Sequence, residues 1–559
     1  MIKVMGTAWH IRSCARMGAA VVCALAGAAQ AQLRICTWNV TNYSVSGSPP
    51  TSPRDADFQT VIYGVIPAGL PLAGRSMSPD VFVGQEFISA AAVARFVQVL
   101  NTAPGSPGDW AAAPFLDGPD TDSAFFYRTS KVQYLGTWTV ALGSSSTCNQ
   151  PRHTRRYDFR PVGYTAPEAT IGLYSIHLKA QGSNTACPGG ENAEGRRLIE
   201  CRRIRDNASG VDTNPNWVGG VGGSNPGGSS GLPAGYQVIV AGDTNIQNAS
   251  RPDYQALVGA SPSPAGQVFD PIVTPGTWNN NGVFRVIHTQ EPSTQMDDRH
   301  DQILVGAGLL DRTGLDYIFT PNAQGQPQPY ALATWNDSNH TYRAWGNDGT
   351  TYNAPLRTTG NTMVGPAIAQ ALISSVATGG HLPIIADFRV PARVAAPESV
   401  TLPPVEPGGT STASVAIAHA GDVARWTAAG LDTLRYTVSI TGPFTTAPGP
   451  FAIAPGGPPA SHVVFMDSAE AGPKVGTMVI TSNDPEAPVV VVPLSGSVLP
   501  PPACAPDFNG DGTLDPDDLA DYIACYFGLS RCPAADFNHD GTTDPDDLSD
   551  FIAAYFAGC

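Results

Sequence analysis

The sequence predicts an α/β domain, then an all-β sandwich, then a small helical repeat. Three observations predict this order. Residues 32 to about 392 mix short β-rich apolar runs with long polar loops and occasional helical periodicity. Residues 393–499 lose the helical period, become rich in Pro and Gly, and read as short alternating strands between turn residues. Residues 504–559 hold an acidic motif that occurs twice.

The chain opens on Lys3, Arg12 and Arg16, followed by an apolar run from Met17 to Ala29 that is too short to cross a bilayer. Ala29-Gln30-Ala31 then gives a small-x-small cleavage site. Together these features predict a signal peptide over residues 1–31, a mature chain starting at Gln32, and a secreted or cell-surface protein. No later run has the length and apolarity of a transmembrane segment. Eight cysteines remain after cleavage: Cys36, Cys148, Cys187, Cys201, Cys504, Cys525, Cys532 and Cys559. An even number in an exported chain predicts disulfides of undetermined connectivity.

The net charge of −16 is unevenly distributed. Residues 32–392 carry 23 basic and 27 acidic side chains, whereas residues 504–559 carry one Arg and twelve Asp. The acidity therefore belongs mostly to the tail and does not bar the large domain from an anionic substrate. Arginines cluster in that domain at Arg152, Arg155, Arg156 and Arg160, and again from Arg196 to Arg205.

Within the large domain, Leu33–Val40, Val81–Gly84, Ile171–Leu178, Val238–Ala241 and Leu382–Val390 read as strands. Ala90–Leu100 and Glu194–Asn207 read as helices, and Gly219–Gly231 as a flexible surface loop. In the next segment Ala413–Ala418, Arg435–Ile440, His462–Met466 and Thr477–Ser482 alternate as sandwich strands do. Ser482-Asn483-Asp484-Pro485, with Leu494-Ser495-Gly496 after it, resembles immunoglobulin-like modules of bacterial surface proteins. That resemblance implies a spacer or adhesion role. Residues 500–503 read as a stiff Pro-rich linker.

In the tail, Asp507-Phe508-Asn509-Gly510-Asp511-Gly512 recurs as Asp536-Phe537-Asn538-His539-Asp540-Gly541. Oxygen side chains fall at loop positions 1, 3, 5, 9 and 12. These are Asp507, Asn509, Asp511, Asp515 and Asp518, then Asp536, Asn538, Asp540, Asp544 and Asp547. The carbonyls of Thr513 and Thr542 would fill position 7. Ca²⁺ takes six to eight oxygens, and the Gly at position 6 permits the turn that wraps the chain around it. Asp rather than Glu at position 12, and the paired short repeats, resemble dockerin domains. The resemblance implies Ca²⁺-dependent folding and docking to a cohesin-like or cell-surface partner.

Six pieces of the large domain carry chemistry. They are Ile35-Cys36-Thr37-Trp38-Asn39-Val40, Pro79-Asp80-Val81-Phe82-Val83-Gly84-Gln85-Glu86 and Tyr174-Ser175-Ile176-His177-Leu178-Lys179. The others are Val238-Ile239-Val240-Ala241-Gly242-Asp243-Thr244-Asn245, Asp297-Asp298-Arg299-His300-Asp301-Gln302-Ile303-Leu304 and His381-Leu382-Pro383-Ile384-Ile385-Ala386-Asp387-Phe388. In each, a polar side chain emerges where an apolar strand ends, and strand ends converging on one rim are a standard way to build a site. In this order the pieces resemble the endonuclease/exonuclease/phosphatase superfamily, the deoxyribonuclease-I-like enzymes, over the whole of residues 32–392. The resemblance implies two packed mixed β-sheets flanked by helices, a four-layer α/β sandwich.

Cleaving a phosphodiester needs a charge-neutralising cation, an activated water and donors for developing charge. The resemblance implies Mg²⁺ or Mn²⁺ on Glu86 with Asn39 beside it, and His381 as general base held by Asp301. It implies His177 as donor or general acid, and Asp243 and Asn245 as orienting groups. One of Arg152, Arg155 and Arg156 is expected to clamp a phosphate. The chain departs from the pattern at Gly380, where the family carries an Asp before its His.

The expected activity is metal-dependent phosphodiester hydrolysis, with nucleic acid as first substrate because Trp335, Tyr342, Trp345 and Tyr352 could stack on bases. A phospholipid or other phosphodiester, and a catalytically impaired surface or adhesion protein, stay open at this stage.

Overall fold

A computed structural model describes residues 32–143, 150–181, 193–211, 230–261, 263–376, 379–500, 504–528 and 532–558. The expected signal peptide, Cys148, Cys187, Cys559, most of the Gly/Ser stretch and the prolines at 501–502 lie outside the described residues. The chain divides into two compact units, Met1–Val390 with Ala424–Gly430, and Pro391–Val423 with Leu431–Cys559. No helix among the described residues is long and apolar enough to cross a membrane.

The first unit is mixed α/β. It runs β1 (Leu33–Tyr43), α1 (Asp55–Tyr63), β2 (Val81–Phe87), α2 (Ala90–Thr102), β3 (Trp110–Ala112), β4 (Asp122–Arg128), β5 (Val132–Ala141), β6 (Thr154–Pro161) and β7 (Ile171–His177). It continues with α3 (Ala193–Ala208), β8 (Gln237–Asp243), α4 (Pro252–Val258), β9 (Val268–Phe269), β10 (Asp301–Gly306), β11 (Asp316–Tyr317), β12 (Arg343–Ala344), α5 (Gly365–Ser374) and β13 (Ile384–Arg389). One sheet has the order β11-β13-β1-β2-β4-β3, with β12 also on β13; the other is β5-β6-β7-β8-β10-β9. Each sheet contains one parallel pair, β1 with β2 and β7 with β8. Parallel neighbours need a crossover, supplied by α1 in the first case and α3 in the second.

The two sheets face each other, β1 and β2 meeting β8, and β4 meeting β5, β6 and β7. Strand alternation decides which aromatic goes where. On β4, Phe125 stacks on Tyr157 of β6 at 4.7 Å between centroids, inside the sheet–sheet interface. Its neighbour Phe126 points the other way and packs on Phe96 of α2 at 5.1 Å. That outer core also gathers Trp38, Tyr43, Phe58, Phe82 and Phe87 between the sheet and α1, α2 and α5. The apolar run of β1 is buried on both faces from Leu33 to Val40, as a central strand requires. The cap of α2 is Ser89, whose hydroxyl accepts the Ala92 N–H at 3.2 Å.

Two cysteines depart from the disulfide expectation. Cys36, in mid-strand on β1, and Cys201, on α3, are buried free thiols that pack as small apolar groups. Cys525 and Cys532 are disulfide-bonded to each other, and Cys504 is also disulfide-bonded.

In the second unit a four-stranded and a five-stranded sheet share one core of Val415, Ile417, Val438, Val464, Ile480 and Val492. The Asn-Asp turn singled out above is a lock. Asp484 accepts the Val394 N–H at 2.8 Å, and Asn483 accepts the Arg435 N–H at 2.8 Å. In the tail, helices Pro516–Tyr526 and Pro545–Ala557 each begin on a capping box, Asp515 with Asp518 and Asp544 with Asp547. Tyr522 and Phe551, equivalent positions of the two repeats, stack face to face at 3.8 Å.

Candidate active site

The carboxyl ends of the two parallel pairs meet, and the chemistry-bearing side chains gather there. Asn39 lies towards the end of β1 and Glu86 at the end of β2. His177 and Asp243 are the last residues of β7 and β8, paired in register. Asp301 opens β10 directly opposite Asp243. His381 stands three residues before β13, with its carbonyl tied to the Trp38 indole N–H at 2.8 Å. The positions lie far apart in sequence and converge because crossovers and antiparallel pairing stack the strand ends.

The Asn39 amide donates to Glu86 Oε1 at 2.9 Å and to Asp243 Oδ2 at 3.2 Å. His177 Nε2 lies 3.3 Å from Asp243 Oδ2 and 3.8 Å from Glu86 Oε1. His381 Nδ1 pairs with Asp301 Oδ2 at 2.7 Å, and its Nε2 lies 3.8 Å from Asp243 Oδ2. Asn245 donates its backbone N–H to Asp243 Oδ1 at 2.9 Å and its amide to Leu178 O at 3.1 Å. The Asn42 N–H reaches Glu86 Oε2 at 2.9 Å. Four non-glycine residues here, Thr41, Asn42, Glu86 and Asn245, have φ between +49° and +66°. Such left-handed residues cost free energy and persist where surrounding structure demands them, commonly at functional sites.

Burial, together with the positive charge of Arg152, holds the His177 imidazole well below the usual histidine range. Burial works on His381 in the same direction, but the carboxylates of Asp301, Asp243 and Glu86 outweigh it and push the group up to about 10. The same carboxylates bear on cation binding. Glu86 Oε1 and Asp243 Oδ2 converge on one Asn39 amide. No three His, Cys, Asp or Glu side chains among the described residues form a ready-made metal cage. One or two carboxylates completed by water is the donor set that suits Mg²⁺.

No protein-family model matches the chain, and no curated protein matches it. Among solved structures it is similar to SmcL, at 12% identity over 64% of this chain and 98% of that one, with a TM-score of 0.34. It is similar to an endonuclease/exonuclease/phosphatase family protein from Leptotrichia buccalis C-1013-b at 12% identity, 64% and 99% coverage and a TM-score of 0.30. A third, ANGEL2, a 2',3'-cyclic phosphatase, is 12% identical over 64% of this chain and 94% of that one, with a TM-score of 0.28. Similarity this remote establishes neither fold nor activity.

The expected arginines separate. Arg152 stands beside His177, donating to Leu178 O at 3.2 Å and lying 3.3 Å from Asp120 Oδ2. Arg156 is fully buried, forked onto Asp158 at 2.9 and 3.1 Å, and so is structural. Arg155 points to the opposite face of β6 and donates to Thr139 at 2.7 Å. The aromatic expectation fails for three of four residues. Trp335, Tyr342 and Trp345 are 5%, 0% and 2% exposed, part of the core or packed beside Arg299, whereas Tyr352 is 37% exposed.

At Gly380, a Cβ would meet Val376 Cβ at 2.2 Å. The position has no room for the carboxylate that the resemblance would put there. Neither Asp297 nor Asp387 replaces it. Asp297 receives the Gln295 amide at 2.6 Å, and Asp387 is forked onto Arg34 on β1 at 2.6 and 2.9 Å.

Sequence reasoning quoted His300 and Asp298 without assigning them a role. Both are buried, and the His300 ring lies 6.2 Å from that of His381. A signal was present: the polar run Asp298-Arg299-His300 directly precedes Asp301.

Proposed function

We propose that the chain is a secreted, metal-dependent phosphodiester hydrolase. The observation that carries this reading is the facing of the His381–Asp301 pair, across Asp243, onto Glu86, Asn39 and His177. In this reading Glu86 holds the cation with Asn39 and Asp243 beside it, and a divalent ion would neutralise charge on the phosphate. His381 takes the proton of the attacking water, while Asp301 fixes its ring through Nδ1 and stabilises the imidazolium. Asp243 and Asn245 orient water and phosphate oxygens, and Arg152 is the arginine left to meet the phosphate. The carboxylates of Asp301, Asp243 and Glu86 favour protonated His381, and a cation held on Glu86 would offset part of that pull.

Nucleic acid is the first substrate to try, but the buried aromatics give it no special support. The tail is read as two Ca²⁺ loops with a docking role, and the sandwich as a spacer. The decisive experiment assays the mature protein on plasmid DNA, RNA, sphingomyelin and a chromogenic phosphodiester, with Mg²⁺, with Mn²⁺ and with chelator. Turnover of at least one substrate that chelator abolishes is expected. No turnover on any would overturn the reading in favour of a surface or adhesion protein.

A further inference from the structure

A second imidazole–carboxylate pair stands beside the first. His300 lies in the loop just before β10, and its carbonyl is fixed by the Thr244 N–H at 2.9 Å and the Thr244 hydroxyl at 2.7 Å. Its ring is 4% exposed, like that of His381. Nε2 lies 3.5 Å from Asp298 Oδ2, and neither ring nitrogen makes a hydrogen bond. Asp298 Oδ2 is held by the amides of Gln247 at 3.3 Å and Asn279 at 3.1 Å, while its Oδ1 has no partner. A buried imidazole with open nitrogens, aligned by an anchored carboxylate, is built to exchange a proton with something that enters the cleft.

In-line displacement at phosphorus needs two proton carriers, one for the entering oxygen and one for the leaving oxygen. His381 serves the first. His177 turns its Nε2 to Asp243 and Glu86, the carboxylates that would share the cation, so the leaving oxygen calls for a donor outside that pair. The His300 and His381 rings, 6.2 Å apart, are too distant to bond each other and near enough to address two oxygens of one phosphoryl group.

We propose that His300, positioned by Asp298, is the general acid that protonates the leaving oxygen. The inference rests on the phosphodiesterase reading. As the water oxygen bonds to phosphorus, its proton passes to His381. The bond from phosphorus to the leaving oxygen breaks, its electron pair stays on that oxygen, and the oxygen takes the His300 proton. The products are a phosphomonoester and an alcohol; His381 then gives a proton to solvent and His300 regains one.

The test compares leaving groups in the full-length protein with Mg²⁺. One substrate is a dinucleotide, whose alkoxide needs a proton to leave. The other is the p-nitrophenyl ester of a nucleotide, whose nitrophenolate leaves without one. His300→Gln is expected to lower kcat on the dinucleotide about 10²–10⁴-fold, and on the nitrophenyl ester less than about tenfold. His381→Asn should damage both alike. Asp298→Asn, which keeps the imidazole, should repeat the His300→Gln pattern more weakly, and a melting scan of each variant checks folding. Equal loss on both substrates, or no loss on either, would overturn the assignment of His300. A wild-type protein inactive on both, and on RNA, plasmid DNA, sphingomyelin and the chromogenic phosphodiester, would instead overturn the phosphodiesterase reading itself.

Discussion

Glu200 on α3 shows what burial does to a single carboxyl. It is 1% exposed, accepts one hydrogen bond from Thr154 at 2.6 Å, and leaves Oε2 without a partner. Burial raises the group from 4.5 to about 7 despite Thr154 and nearby arginines. The folded state thus binds the proton more tightly than the unfolded chain, so stability falls as pH rises from about 4.5 to about 7 and is level outside that window. The loss is about 3 kcal/mol, at 1.36 kcal/mol per pKa unit. Glu200→Gln should gain that much on the wild type between pH 4 and pH 8, read from urea midpoints at each pH. A difference that does not change with pH would refute it. Gly380 makes a second prediction at this scale. Gly380→Ala should destabilise by about 1–3 kcal/mol through overpacking against Val376, and Gly380→Asp should not restore a metal ligand. A variant as stable as the wild type in urea would contradict the clash. The candidate site was legible in sequence wherever a polar residue closes an apolar strand, as at Glu86, His177 and Asp243. It was not legible at Arg155 and Arg156, because a cluster of like residues on a strand does not show which member faces inward. Only the register of β6 sends one to Asp158 and the other to Thr139.

β1 does more than contribute Asn39. Trp38, the preceding residue, sits on the opposite face in the core and bonds the His381 carbonyl, so one strand supports both edges of the site. Trp38→Phe removes the donor and leaves a buried carbonyl unpaired, which should cost about 1–3 kcal/mol in urea unfolding. It should also lower kcat more than it changes KM, because the imidazole loses its anchor while the substrate contacts stay. An unchanged kcat would mean that the bond matters to stability alone. At this scale most strands and the two foreseen helices were readable from apolar runs and helical period. The helix expected from Ala90 runs two residues beyond Leu100, to Thr102. The aromatic segment before His381 misled because Trp335 and Trp345, on loops either side of β12, close the outer core, and Tyr342 packs beside Arg299. Sequence distance from a site says nothing about which side of a sheet a ring takes.

For the whole molecule, the tail carries a prediction of its own. In both loops the carboxylates accept backbone N–H groups of the loop itself, as when Asp518 receives Asn509 at 3.1 Å and Asp515 at 2.9 Å. Asp547 repeats this with Asn538 and Asp544. Twelve Asp in such a short segment repel one another unless cations neutralise them. With Mg²⁺ present throughout, a Ca²⁺-selective chelator should speed protease cleavage within residues 504–558 and leave phosphodiester turnover unchanged. Fragment masses that ignore the chelator would argue that the disulfides alone hold the tail. The duplicated loop was visible in sequence because each oxygen-bearing position recurs in register. The free thiols Cys36 and Cys201 were not, because counting cysteines takes no account of where the strands and helices bury them.

The site draws Asn39 and Glu86 from one sheet, His177, Asp243 and Asp301 from the other, and His381 from a loop 343 positions beyond Trp38. Pairings this distant close late in folding, after the entropy of long loops has been overcome. A chain emerging from its N-terminus presents Asn39 and Glu86 first and His381 hundreds of residues later. No partly emerged chain could then assemble the cluster, because its last member arrives only when nearly the whole α/β unit is present. Recovery of turnover on refolding should accordingly trail every earlier sign of secondary structure.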